Sequence, residues 1–143
     1  MTVKVTGAAH VLAQLKALAA VGNPVVLERA IREGAQPIID AAKQNAPTPE
    51  VAADVDVVNL RASGGTVTAD VGLPGGPRPS FVGLFFERGT GPRVQETTGR
   101  RTGAMAARPW LRPAFDANSA RAVDAVGAVI KARIDAVAKN SNG

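Results

Sequence analysis

Arg88, Arg93, Arg100, Arg101, Arg108 and Arg112 fall within a 35-residue window that holds no lysine and only Glu87 and Glu96 as acids. A guanidinium is a planar fork that meets carboxylate or phosphate oxygens two at a time, so this cluster suits an anionic partner. The same window holds all five aromatic residues, Phe81, Phe85, Phe86, Trp110 and Phe115, and its six arginines against two glutamates carry +4 of the formal net charge of +5. Two chemistries are open. The arginines could pair with carboxylates across a protein–protein interface, where Arg, Trp and Phe are enriched. Alternatively Arg93, Arg100 and Arg101 could reach the phosphates of a nucleic acid. The first is favoured, because there is no tyrosine and the aromatics sit in strand-like or pre-helix settings that bury rings rather than offer them for stacking. Nor does any helix gather basic residues as a recognition helix would.

Other chemistry finds little footing. His10 is the only histidine and falls on a helical pattern, where a solvated imidazole is the simpler reading than a triad member. The chain has no cysteine, which excludes a disulfide framework, a thiolate nucleophile and a cysteine-ligated metal. Asp54 and Asp56 are two apart on a predicted strand and would share a face able to meet a hard cation, although outward-facing aspartates on a half-buried strand are ordinary. Gly89-Thr-Gly91 and Gly99-Arg-Arg-Thr-Gly103 lack the Lys-Ser/Thr of a phosphate loop and read as connectors. We therefore expect no catalytic residues, no bound cofactor and no metal, and a protein that is not an enzyme.

The elements that must position these residues follow from pattern. A length of 143 residues and 45% hydrophobic content suit one domain over 1–143, with a core assembled from many small Ala and Val contacts. Thr2–Thr6 alternates as a short strand, and Ala8–Ala20 spaces Val11, Leu12, Leu15 and Leu18 as a helix. A second helix runs from about Pro24 to Gln44, with Gly34 and Pro37 predicting a kink or break near residues 34–36. Alternation around Ser63-Gly64-Gly65 predicts a β-hairpin, with Val55, Val57 and Asn59 before the turn and Val67, Ala69, Val71 and Leu73 after it. Three prolines in Leu73–Pro79 end it. Phe81–Glu87, apolar on both faces, reads as a central strand. Residues 88–107 read as a long Arg-rich loop, and about Pro113 to Ala138 as an amphipathic helix with Val123, Val126, Ile130, Ile134 and Val137 on its face. Asn140–Gly143 should fray. The fold class is α+β, with N-terminal helices and a long C-terminal helix packed on one face of a small antiparallel sheet. No apolar run nears the roughly 20 residues of a membrane span, and no signal-peptide core is present, which predicts a cytosol-like compartment and no membrane partner.

Three stretches now carry a resemblance. Gly34-Ala-Gln-Pro-Ile-Ile-Asp-Ala-Ala-Lys-Gln-Asn-Ala-Pro47, Phe85-Phe-Glu-Arg-Gly-Thr90 and Arg108-Pro-Trp-Leu-Arg-Pro-Ala-Phe-Asp116 are similar, in this order, to motifs of the neck and tail-completion proteins of long-tailed double-stranded DNA phages. That family is named after gene product ten of a lambdoid coliphage. The chain departs from the family pattern at Arg88, where an apolar aromatic is usual, and in the length and arginine content of the stretch that follows. The resemblance implies a structural virion protein, made in the bacterial host cytoplasm, that forms a ring of six subunits between head connector and tail tube. Its implied partners are other copies of itself, the head-completion or connector protein, and a tail-tube or tail-terminator protein, with passing genomic DNA as an alternative contact for Arg93, Arg100 and Arg101. A tail-terminator ring capping the tube is the alternative within this class, and a small basic nucleic-acid-binding protein the alternative outside it. In the mechanism this suggests, Phe85, Phe86, Trp110, Leu111 and Phe115 pack the start of the last helix onto the sheet. Gly89 allows a sharp exit ending at Thr90, Pro109 and Pro113 fix the approach angle, and Glu87 pairs with Arg108 or Arg112. The loop Arg93–Met105 projects and becomes ordered against a neighbour.

Overall fold

A computed structural model describes residues 22–75 and 80–140, together with Ala19. The strand expected at Thr2–Thr6, most of the helix expected at Ala8–Ala20, His10 and the last three residues lie outside the described residues.

Helix α1, Pro24–Asn45, begins where Asn23 caps it: the Asn23 side-chain oxygen accepts from the Val25 N–H at 2.9 Å, and Pro24 takes the first turn, where its missing N–H costs nothing. Its buried face is Ala30, Gly34, Ala35, Ile38, Ile39 and Ala42. Of the kink or break expected near residues 34–36, the break does not occur. Pro37 removes one ladder bond, but the turns on either side of it are buried in the core, and tertiary packing holds the helix continuous. A second short helix, α2 at Pro49–Asp54, is capped by the Thr48 hydroxyl on the Val51 N–H. Asp54 therefore closes a helix while Asp56 opens a strand, and the two carboxylates do not form the strand-face pair expected of them. Among the described residues no group of acidic or histidine side chains is placed to hold a metal ion.

Strands β1, Asp56–Ser63, and β2, Thr66–Gly72, form the predicted antiparallel hairpin. Its two-residue turn has φ of 56° at Gly64 and 78° at Gly65, the left-handed pair that a tight hairpin with right-twisted strands requires. A bulge interrupts the ladder between Val58 and Arg61, centred on Asn59 at φ 52°, whose amide donates to Asp70 at 3.3 Å.

Phe81–Glu87 is a helix, not a strand. Helix α3 spans Ser80–Arg88, turning Val82, Gly83 and Phe86 inward and leaving Phe81 and Leu84 exposed. Residues 88–107 are likewise not a structureless loop: β3, Thr90–Val94, and β4, Arg101–Met105, pair as a second antiparallel hairpin. Helix α4, Leu111–Asn140, starts two residues before Pro113 and lies along α1. At 1.5 Å per residue its 30 residues span about 45 Å.

The fold is α+β, with α1 packed on the β1–β2 sheet and α4 alongside α1. Among the described residues the sheets are two separate two-stranded hairpins rather than one three-stranded sheet. The core is Ala35, Ile39, Ala42, Val51, Val55, Trp110 and Ala114, flanked by half-buried Val57, Val71, Leu73, Val82, Phe86 and Leu111. Trp110 is the only large aromatic in it, and burying an indole of about 150–250 Å² contributes on the order of 4–6 kcal/mol. Among the described residues no helix is long and apolar enough to cross a membrane.

Candidate functional site

The base of the second hairpin is a clasp built from the residues of two sequence motifs. Helix α3 ends as Gly89 enters the left-handed region at φ 72° and returns its N–H to the Phe85 carbonyl at 2.8 Å. Glycine is required here twice over, because a Cβ would lie 2.6 Å from the Met105 carbonyl oxygen and 2.8 Å from the Ala107 nitrogen. The chain returning from the hairpin is pinned by the Arg108 N–H on the Phe86 carbonyl at 2.7 Å. Thus the two ends of the hairpin are joined through α3.

Glu87 completes the clasp in a way the sequence did not suggest. Its carboxylate accepts from the N–H groups of Trp110 at 2.8 Å, Leu111 at 2.9 Å and Arg112 at 3.2 Å. These are orphan donors at the start of α4, where the helix dipole also favours an anion. The expected ion pair with Arg108 or Arg112 is not formed. A carboxylate facing the first turn meets fixed backbone donors nearby, whereas a long exposed arginine must be ordered to compete. Arg112 instead lies 4.0 Å from Asp116, both well exposed.

Trp110 donates its indole N–H to the Gly83 carbonyl at 2.9 Å. Gly83 was not singled out from the sequence, yet a Cβ there would meet Leu73 at 2.4 Å and Trp110 at 3.2 Å. A glycine inside an otherwise apolar run was the available signal, since it marks close approach. The expected aromatic cluster on the sheet divides accordingly. Trp110, Phe86 and Leu111 pack into the core between α1, α2 and α3, while Phe115 is 54% exposed. Phe85 is half-buried against the hairpin side, tilted to Phe81 at 6.3 Å with the Arg93 guanidinium 5.3 Å above its ring. Pro109 precedes α4 and Pro113 sits in its first turn, as their fixed φ permits.

Beyond the clasp the hairpin stands free. Every residue from 91 to 104 is exposed, and no other described element packs extensively on it. Its tip closes with the Gly99 N–H on the Gln95 carbonyl at 2.8 Å and φ 64° at Gly99. Among the described residues Arg100 and Arg101, which flank that tip, have no ion-pair partner. The hairpin carries Arg93, Arg100 and Arg101 against Glu96 alone, with Arg88 and Arg108 at its root.

On α1, β2 and α4 lies an apolar groove of about 850 Å³, walled by Ile31, Ile38, Val71, Phe115, Val123 and Val126. Its floor is the helix crossing at Gly34, where a Cβ would lie 2.4 Å from Val126. Val123, expected on the packed face of α4, is 71% exposed at the groove, and Ile134 is 39% exposed further along.

Comparison with known proteins finds no matching family model, no similar curated protein and no similar solved structure.

Proposed function

We propose that this chain is a structural subunit of the neck of a long-tailed double-stranded DNA phage, forming a homo-oligomeric ring that completes the tail and joins it to the head connector. Three motif stretches similar to neck and tail-completion proteins, in the family's order, suggest the class. The observation that carries the reading is the hairpin. A charged element 14 residues long from 91 to 104 is wholly exposed, yet its root is fixed by Gly89, Glu87 and Trp110, all residues of those motifs. A chain that functioned alone would have little use for a hairpin fixed at its root on which no other described element packs extensively, since an isolated two-stranded hairpin is marginal in water. Exposed Phe81, Leu84, Val94, Phe115 and Val123 add apolar surface of the kind that subunit contacts cover.

The test replaces Arg93–Gly103 with a short Gly-Ser linker and complements a phage lacking the gene. We expect a folded protein and loss of joined particles, with free heads beside tails of normal length; overlong tubes would indicate a terminator ring instead. Virions at normal yield would overturn the proposal.

A further inference from the structure

We propose that the β3–β4 hairpin of one copy seats in the α1–β2–α4 groove of a second copy, and that this head-to-tail contact is the subunit interface. The inference rests on the ring reading and names its interface.

The two surfaces are opposite in charge balance: the hairpin carries Arg93, Arg100 and Arg101 against Glu96, and the groove's lining holds Asp70, Glu87 and Asp116 against Arg112. The hairpin tip offers Arg100 and Arg101, without an ion-pair partner among the described residues, with Val94 57% exposed beside them. The groove offers apolar walls, with the carboxylates of Asp70 and Asp116 exposed among its lining residues. Among the described residues the Asp70 carboxylate meets only the Asn59 amide, at 3.3 Å, and that of Asp116 only Arg112, at 4.0 Å. Both therefore have lone pairs left for an incoming guanidinium. Arginine over apolar walls with a carboxylate at the rim is the composition of an interface core and rim.

The hairpin's own construction argues against the other way of docking it, by adding a strand to a neighbour's sheet. Pro92 removes a donor from β3, register shifts break the β3–β4 ladder on both sides of Arg93, and arginines line the strands. These are the devices that keep edges from pairing. Side chains, not backbone, are what this hairpin presents. A hairpin and a groove at different places on one chain make a heterologous contact, which closes into a ring if the rotation allows and otherwise into a filament.

The absence of cysteine makes the test clean. Full-length chains carrying only Arg100→Cys are mixed with differently tagged chains carrying only Val123→Cys, both at exposed positions, and oxidised. The control partner carries Lys139→Cys, about 24 Å further along α4. We expect a mixed disulfide dimer for the first pair and background for the control, and a chain with both cysteines should give a ladder of cross-linked multimers. Arg100→Glu with Arg101→Glu should weaken association by about tenfold or more, as should Asp70→Lys with Asp116→Lys, and mixing the two variants should restore it. Oligomers in sedimentation without the specific cross-link would overturn this interface and leave the ring reading standing. Chains that stay monomeric in sedimentation, uncross-linked and also unassembled in complemented particles, would remove both. Duplex DNA binding that is lost in the Arg100→Glu, Arg101→Glu variant, with oligomerisation intact, would assign the arginines to DNA and overturn the inference.

Discussion

At the scale of single residues, Glu87 decides how the last helix begins. One carboxylate takes three backbone N–H groups at 2.8–3.2 Å from a position 23–25 residues earlier in the chain. A helix usually finds its cap in the residue just before it. Here that place is held by Trp110, which cannot cap with its side chain and is committed to the core. Glu87→Gln keeps the size but loses the charge, and we expect it to lower stability by roughly 1–2 kcal/mol, the worth of a cap reinforced by the helix dipole. Arg112→Ala, removing an exposed pair at 4.0 Å, should change stability by less than about 0.5 kcal/mol. Urea unfolding of both variants separates the two roles. If Arg112→Ala or Arg108→Ala costs as much as Glu87→Gln, the carboxylate is working as an ion-pair partner and the capping account fails.

At the scale of elements, the same physics explains what could be read from the chain and what could not. The β1–β2 hairpin was legible because alternation and Gly64-Gly65 both specify it. Helix α1 was legible from its apolar spacing and from Pro24, and packing keeps it continuous through Pro37, where propensity alone would allow a break. Phe81–Glu87 was not legible, since a short run apolar on every side fits a buried strand and a helix equally. What settles it is Gly83, whose bare Cα lets Trp110 and Leu73 close over the helix. The clasp is built from the two stretches Phe85–Thr90 and Arg108–Asp116, but its hydrogen-bond partners were not legible, because capping from 23 residues away leaves no local pattern. The hairpin at residues 90–105 was hidden by its glycines and by arginines on both faces, which erase alternation. Gly34 is the element-scale test. A helix-interior Gly→Ala ordinarily gains up to about 1 kcal/mol in propensity. Here the new methyl would lie 2.4 Å from Val126 and 3.0 Å from the Ala122 carbonyl oxygen. Overpacking of that kind costs about 1–3 kcal/mol, so the net effect should be destabilising. Adding Val126→Ala should recover part of the loss, as a double-mutant cycle would measure. Gly34→Ala that proves stabilising by itself would mean that α1 and α4 do not cross so closely.

At the scale of the molecule, the distribution of apolar surface separates folding from assembly. Phe86, Trp110 and Leu111 pack into or against the core, whereas Phe115 and Val123, on the next turns of the same long helix, face outward at 54% and 71% exposure. A monomer gains little from Val123 and only part of what burying Phe115 could give. Val123→Ser should therefore leave the unfolding free energy within about 0.5 kcal/mol of the parent, as surface substitutions do, and Phe115→Ser should cost no more than about 2 kcal/mol. If the groove they border receives a second subunit, Phe115→Ser should reduce oligomerisation sharply, because truncating a desolvated aromatic anchor is the most damaging change an interface can suffer, and Val123→Ser should reduce it to a smaller degree. Phe86→Ser is the contrasting control: it should lower stability by several kcal/mol and lose assembly only through loss of fold. Sedimentation velocity beside urea titration reads both quantities on the same samples. Variants at Phe115 and Val123 that assemble like the parent would show that this apolar surface is not where subunits meet. A loss of assembly matched by an equal loss of stability would place both residues in the fold rather than at the contact. Only the dissociation of the two effects, association lost far beyond any change in stability, fits a chain whose last helix packs along α1 on one face and presents Phe115 and Val123 to a neighbour.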